Sequence, residues 1–211
     1  MHQARIGKSA LSVYLFYNFN IFTMITIVAV TGSLDSESYT MKLVKAVRFH
    51  APETIEFKIL DISKLPYVAE NFESALSSNL NEFYGEIETA DAFIIATAEY
   101  KRSYSPALKN ALDLGLAADG NSKWAGKPVS IFGCTPYSLN AFGGVGQLKR
   151  ALEALHMEVF YKPDFYFCDA MNKFNEAGIL TDQATRNVIT GFWDVFVKWI
   201  DRRSVEKKLN Q

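Results

Sequence analysis

Five short apolar runs alternate along this chain with segments of helical periodicity, and this alternation constrains the fold more than any other feature. The predicted strands are Ile25–Thr31, Thr54–Leu60, Ala92–Thr97, Pro128–Gly133 and a fifth within Val159–Phe167. Continuous apolar runs of this length are typical of parallel strands that are buried on both faces. We therefore predict an α/β fold with a doubly wound, five-stranded parallel sheet in the order 2-1-3-4-5 and three layers.

Apolar residues at helical spacing predict a helix after each strand. The predicted helices run over about 36–49, 76–89 and 106–117, from about 144, and over about 182–203. No internal repeat or linker divides the chain. We expect one domain over residues 24–203 and a C-terminal tail over residues 204–211.

The first 23 residues superficially resemble a signal peptide, because Arg5 and Lys8 precede an apolar patch. However, Asn18 and Asn20 interrupt that patch, no small-residue cleavage site follows it, and it is too short and polar to span a bilayer. We expect Met24 to be the natural start and residues 1–23 to be an extension outside the native fold. A targeting or packing element remains the alternative.

Charge and cysteine content exclude several classes of function. The formal net charge of −1 argues against a nucleic-acid or anionic-membrane partner. The two cysteines, Cys134 and Cys168, form no Cys-x-x-Cys pair, and the three histidines match no metal-ligand spacing. We therefore expect no metal site and a reducing compartment, which is the cytoplasm.

In a doubly wound sheet, ligands bind beyond the carboxyl ends of the strands, near the point where the strand order reverses. Three predicted loops lie there, over residues 33–40, 98–105 and 134–144. The first carries three serines and a threonine directly before a helix. Its hydroxyls and the unpaired N–H groups of the helix suit a phosphate. The alternative is a simple helix-capping turn.

The second loop carries two tyrosines and the cations Lys101 and Arg102, and the third ends in Gly143 and Gly144. Exposed aromatic rings can stack on a planar ligand, and glycines let such a ligand approach the backbone. Each loop also has a purely structural interpretation, as a packing surface or a turn. Because all three share one edge of the sheet, a ligand site is favoured.

Several motifs along the chain resemble one known family. They are Gly-Ser-Leu followed by serines from residue 32, Glu-Tyr…Pro-Ala-Leu-Lys-Asn-Ala-Leu-Asp over 99–113, Trp-Ala-Gly-Lys-Pro over 124–128, the Gly-Gly pair at 143–144, and Leu-x-x-Ala-Leu over 148–152. Together they resemble the NAD(P)H-dependent FMN reductases. These have a flavodoxin-like fold, and quinone, chromate and azo-dye reductases are among their relatives. The resemblance spans residues 24 to about 202.

The resemblance implies a non-covalently bound FMN, with its phosphate in the first loop and its isoalloxazine between the other two. The candidate cofactor-binding residues are Ser33, Ser38, Tyr39 and Thr40 in the first loop, Glu99, Tyr100, Lys101, Arg102 and Ser103 in the second, and Thr135, Tyr137, Ser138 and Gly143 in the third.

The resemblance further implies hydride transfer from NADPH or NADH to the flavin, followed by reduction of a quinone, free flavin or similar small acceptor. Because the flavin carries this chemistry, no protein side chain is predicted to be catalytic. A homodimer or homotetramer is implied, with residues 61–73 and the last helix as contact regions.

Two positions depart from the family pattern. Asp35 stands where the family usually has Arg, and Lys101 stands where it has Asn. Asp35 either caps the helix or weakens the binding of a phosphorylated nicotinamide, because like charges repel. For Lys101 and Arg102, we hypothesise that they stabilise anionic reduced flavin or hold phosphates of the nicotinamide cofactor. A solvated charged loop is the alternative.

Other functions are compatible with this fold class. A receiver domain needs clustered acids after the first strand, and Thr31, Gly32 and Ser33 stand there instead. A dinucleotide-binding Rossmann enzyme needs the motif Gly-x-Gly-x-x-Gly at the same place, and the sequence lacks it. The sequence therefore excludes both. An FMN-binding electron carrier or redox sensor remains possible, as does a degenerate member of the family without flavin.

Overall fold

The computed structural model describes residues 24–68, 78–116, 121–138, 141–161 and 164–209. Several predictions lie wholly or partly outside these residues. They concern the N-terminal extension over 1–23, the end of the contact loop over 69–73, the start of the second helix over 76–77, the end of the third helix at 117, residues 139–140 of the third loop, residues 162–163 of the fifth-strand segment, and the end of the C-terminal tail over 210–211.

Strands and helices alternate from Ile25 onwards. The strands are β1 (Ile25–Thr31), β2 (Ile55–Leu60), β3 (Ala92–Thr97), β4 (Pro128–Cys134), β5 (Glu158–Val159) and β6 (Phe165–Phe167). The helices are α1 (Tyr39–Phe49), α2 (Ser78–Thr89), α3 (Pro106–Leu114), α4 (Phe142–Ala154) and α5 (Gln183–Leu209), and a short 3-10 helix covers Ala170–Asn172.

The strand order β2-β1-β3-β4-β5 confirms the predicted doubly wound topology, and every pairing is parallel. The fifth position differs in detail, because two short strands share it. Both pair with β4, through Val129 with Val159 and through Phe132 with Phe165. Pro163 lies between them in the sequence, and proline has no N–H to donate to a sheet.

Neighbouring residues of β1 point to opposite faces of the sheet, and this alternation builds two cores. Ile27 and Ala29 pack in a cluster with residues of α1 and α5. Val28 and Val30 pack in a second cluster with residues of α2, α3 and α4. The result is a three-layer domain that is covered on both faces, as the buried parallel strands require.

Several helix boundaries differ from the prediction. α1 begins at Tyr39, because the Ser38 side chain accepts the N–H of Met41 (3.2 Å) and caps the helix. The interpretation of Asp35 as the helix cap is therefore wrong. α4 begins at Phe142, two residues before the predicted start. α5 continues to Leu209, so the prediction of a tail from residue 204 is wrong over residues 204–209, which extend the helix. None of the described helices has the length and apolar character needed to cross a membrane.

His156 follows the last turn of α4 in a left-handed conformation, with φ of 59°. Its N–H donates to the Glu153 carbonyl, and the next N–H, that of Met157, donates to the Leu152 carbonyl. This pattern usually carries glycine, because glycine has no Cβ to strain in this conformation.

We expect His156→Gly to raise the free energy of unfolding by about 1 kcal/mol, because it removes a left-handed side chain. Urea denaturation measures the change. His50→Gly is the matched control, since His50 ends α1 with a φ of −96° and gains nothing from glycine. An equal stabilisation by both substitutions would contradict the explanation.

Candidate active site

The three loops selected by the sequence meet at one edge of the sheet. The first and second loops adjoin each other at Gly32, whose N–H donates to the Ala96 carbonyl (2.9 Å). A Cβ on Gly32 would lie 3.1 Å from Ser105 Oγ, so the two loops pass close together. The second and third loops are joined through Glu99, whose carboxylate accepts the N–H of Gly143 (2.8 Å).

The first loop forms a turn held by its own polar groups. Asp35 Oδ1 accepts the N–H of Glu37 (2.9 Å), and the Asp35 side chain is exposed. The first intrahelical bond of α1 is the one from the Lys42 N–H to the Ser38 carbonyl (2.9 Å). The N–H groups of Tyr39 and Thr40 precede it at the positive end of the helix dipole, where anions bind favourably.

Glu99 caps a helix to which it does not belong. Ala141, the residue before α4, makes no side-chain capping bond. The Glu99 carboxylate instead accepts from Gly143, the second residue of α4, across 44 positions of sequence. A carboxylate at a helix N-terminus is also favoured by the helix dipole. Glu99 therefore joins the loop after β3 to the start of α4.

Gly143 and Gly144 permit a close approach between the start of α4 and the second loop. A Cβ on Gly144 would lie 3.1 Å from the Ala98 carbonyl oxygen and 3.2 Å from that of Ser103. A Cβ on Gly143 would lie 3.0 Å from Glu99 Oε2. The glycine pair thus lets the start of α4 pack directly on the second loop.

A cavity of about 780 Å³ opens between the second and third loops. The residues that line it are Glu99, Lys101, Arg102, Thr135, Tyr137, Ser138, Ala141, Phe142 and Gly143. Seven of them were predicted as cofactor-binding residues. Ala141 and Phe142 were not, although their position directly before the glycine pair could have indicated them.

The other predicted residues are not among those that line the cavity. Ser33 lies in the first loop, Ser38 caps α1, and Tyr39 and Thr40 begin it. Tyr100 and Ser103 pair through two backbone hydrogen bonds, of 2.7 and 3.0 Å, at the base of a tight turn. That turn carries Lys101 and Arg102 to the cavity.

Cys134 ends β4 near this edge, and burial raises the pKa of its thiol to about 12. The thiol is therefore protonated at neutral pH and is a poor nucleophile. Among the described residues no group of three or more His, Cys, Asp or Glu side chains could hold a metal ion. A separate cavity of about 480 Å³ lies between β2 and α2, and no residue of the three loops lines it.

We expect Glu99→Ala to lower the free energy of unfolding by about 1 to 2 kcal/mol, because Gly143 N–H loses its capping partner. Glu99→Gln keeps an oxygen acceptor and is expected to lose less than half of that. Urea denaturation of both variants measures the difference. Equal losses in the two variants would show that the bond to Gly143 contributes nothing.

Comparison with known proteins decides the family of this chain. The model of the family described as NADPH-dependent FMN reductase matches residues 25–171, which is more than half of the chain. The chain belongs to this family. The match covers β1 to the 3-10 helix, and so includes all three loops.

Curated relatives within the FMN reductase family agree with this assignment. A quinone reductase of Pseudomonas putida is 34% identical over 176 residues, which cover 83% of this chain and 94% of that protein. A 2-hydroxy-1,4-benzoquinone reductase of a Burkholderia species is 30% identical, covering 84% of this chain and 97% of that protein.

A solved structure is also similar to this chain. The flavoenzyme NAD(P)H:(acceptor) oxidoreductase FerB from Paracoccus denitrificans superposes with a TM-score of 0.78 at 30% identity. The match covers 85% of this chain and 98% of FerB. The flavodoxin-like fold is thereby confirmed, and so is the family's NAD(P)H-dependent flavin chemistry.

Proposed function

We propose that this chain is an FMN-dependent NAD(P)H:quinone oxidoreductase, with quinones or free flavin as its electron acceptors. The observation that carries the proposal is the cavity between the loops after β3 and β4, at the edge where the fold binds ligands. The chain belongs to a family of FMN reductases, and two of its relatives are named as quinone reductases.

The first loop fits the phosphate of FMN. Ser38 Oγ and Thr40 Oγ1 lie 3.1 Å apart, so one hydroxyl proton bonds the other oxygen. The second proton stays available to a ligand. With Ser33 and the N–H groups of Tyr39 and Thr40, these hydroxyls form a set of donors at a helix N-terminus. The exposed Asp35 carboxylate is engaged with the Glu37 N–H.

The cavity fits the flat part of the same cofactor. Its walls are the second and third loops, which Glu99 holds together. We assign Glu99, Tyr100 and Ser103 to one side of the isoalloxazine, and Thr135, Tyr137, Ser138 and Gly143 to the other. FMN bound there would accept hydride from a reduced nicotinamide and pass electrons to the acceptor. The role of the protein is to bind the FMN, to orient it and to shield it.

Two exposed aromatic side chains in the cavity lining support a planar acceptor. Tyr137 is 67% exposed and Phe142 is 59% exposed. The Phe142 ring packs on Tyr166 with 4.6 Å between the ring centroids, so one of its faces is already supported. Aromatic surfaces of this kind stack favourably on quinone rings.

We further propose that the enzyme is a cytoplasmic homodimer or homotetramer. The thiols of Cys134 and Cys168 are not joined in a disulfide, which suits a reducing compartment. Val188 and Val195 on α5 are 48% and 43% exposed, and they support this helix as a contact region. Light scattering of the purified protein measures its mass in solution.

The functional domain is proposed to begin at residue 24, because β1 begins at Ile25 and the family match begins at residue 25. A variant that begins at Met24 is the test. It should bind FMN with the affinity of the full chain. A large loss of affinity would assign residues 1–23 a role in the fold.

The test of the proposed function is the visible spectrum of the purified protein, followed by turnover assays. We expect a yellow protein with an FMN spectrum that oxidises NADPH or NADH rapidly when a quinone is supplied. A colourless protein that does not bind added FMN would contradict the proposal. A yellow protein without turnover would instead be an electron carrier or redox sensor.

A further inference from the structure

The turn that carries Lys101 and Arg102 has an unusual backbone. Tyr100 N–H donates to the Ser103 carbonyl (2.7 Å), and Ser103 N–H donates to the Tyr100 carbonyl (3.0 Å). The two central residues have φ of 51° and 68°. Positive φ at both central positions is the signature of a type I′ turn, which strongly favours Asn-Gly.

Neither lysine nor arginine suits this backbone. The Cβ of an ordinary L-residue is crowded at positive φ, so both residues strain the turn. Asn-Gly would form the same two hydrogen bonds at lower cost. Strain of this kind at a ligand site suggests that the side chains themselves have a use there. Two cations at this cavity would favour an anionic ligand.

The charged residues of the cavity lining are few. Its charged members are Glu99, Lys101 and Arg102, and the other lining residues are uncharged. The Glu99 carboxylate already accepts from Gly143 N–H and lies 3.5 Å from Arg102 Nη1. The lining therefore carries a net positive charge. The Arg102 side chain is 92% exposed, so a ligand at the cavity opening can reach its guanidinium.

We propose that Lys101 and Arg102 bind the 2′-phosphate of NADPH and make the enzyme prefer NADPH to NADH. This inference rests on the proposed function. The nicotinamide must enter the cavity to reach the flavin, so the adenosine half of the donor stays towards the outside. The 2′-phosphate is on that half, and it is the one group by which NADPH differs from NADH. Long cationic side chains at the mouth can pair with it.

The test measures binding of NADP+ and NAD+ to the oxidised holoprotein by titration calorimetry. Two double variants remove both charges. Lys101→Asn with Arg102→Gly relaxes the turn, whereas Lys101→Gln with Arg102→Gln keeps its strain. In both, we expect the Kd of NADP+ to rise by about tenfold to a hundredfold, as for lost charge-assisted hydrogen bonds. The Kd of NAD+ should change by less than about twofold.

Two further measurements keep the result interpretable. The melting temperature of the Asn-Gly variant should equal or exceed that of the parent protein, which shows that the turn is intact. Lys198→Asn removes one exposed cation of α5, outside the cavity lining, and should leave both affinities unchanged. If the loss of affinity came only from a lower net charge of the protein, Lys198→Asn would weaken nucleotide binding as well.

The proposal is overturned if NADP+ affinity is unchanged in both double variants. It is also overturned if NAD+ weakens as much as NADP+, because the cations would then bind a phosphate that both nucleotides share. Failure of the proposed function is distinguishable from these outcomes. In that case the parent protein would not oxidise either nicotinamide with a quinone, whatever the binding titrations show.

Discussion

Replacing Gly115 with alanine should lower the free energy of unfolding by about 3 kcal/mol, because the new Cβ overpacks a filled core. Gly115 follows α3, and a Cβ there would overlap the indole of Trp124. The backbone gives no reason for glycine, since φ is −78°. The conflict is therefore one of space alone.

Trp124 is held in the core by several contacts. It is 1% exposed, its Nε1 donates to the Leu112 carbonyl (3.0 Å), and it packs on Phe83 and Phe93. Displacing the indole would break that hydrogen bond as well as the ring contacts. Both losses add to the expected destabilisation, which thermal or urea unfolding measures.

Gly85→Ala is the matched control. Gly85 lies inside α2, and a Cβ there meets nothing within 4 Å. Alanine is the better helix former, so this substitution should stabilise the protein by about 1 kcal/mol. The same glycine-to-alanine change should thus lower the free energy of unfolding at Gly115 and raise it at Gly85. If Gly115→Ala lowered the free energy of unfolding by less than about 1 kcal/mol, tight packing around Trp124 would be contradicted.

The largest expected effect on cofactor binding is that of Gly144→Val. A valine side chain at this position would press on backbone atoms of Ala98, Glu99 and Ser103. Backbone cannot rotate away as a side chain can, so the second loop must move from α4. If this loop carries strain of about 2 to 3 kcal/mol, FMN affinity should fall about thirtyfold to 150-fold.

The same helix offers the control for this prediction. A Cβ on Gly146 meets nothing within 4 Å, and Gly146 is exposed. Gly146→Val should leave FMN affinity within about twofold of the parent protein, because exposed substitutions away from special contacts have small effects. Titrating each apoprotein with FMN and following flavin fluorescence compares the two. Equal affinities in both variants would contradict a role for the packing at Gly144.

Sequence periodicity was sufficient for the architecture. Buried strands such as Ile25–Thr31 and Ala92–Thr97 are continuous apolar runs, and the helices between them show a 3.6-residue period. Apolar runs and the helical period both depend only on residues that are close together in the sequence. The rule for ligand sites in doubly wound sheets then selected the three loops without knowledge of any contact. The sheet order and the position of the cavity followed from these local patterns.

What the sequence by itself determined was therefore the sheet, its order and the edge that carries the site. Only the tertiary structure decided how the loops are held there. Glu99 caps a helix that begins 43 positions later, Gly144 packs on the loop after β3, and Phe142 enters the cavity lining. Such contacts join segments far apart in the chain, so they depend on sheet register and helix placement rather than on local periodicity.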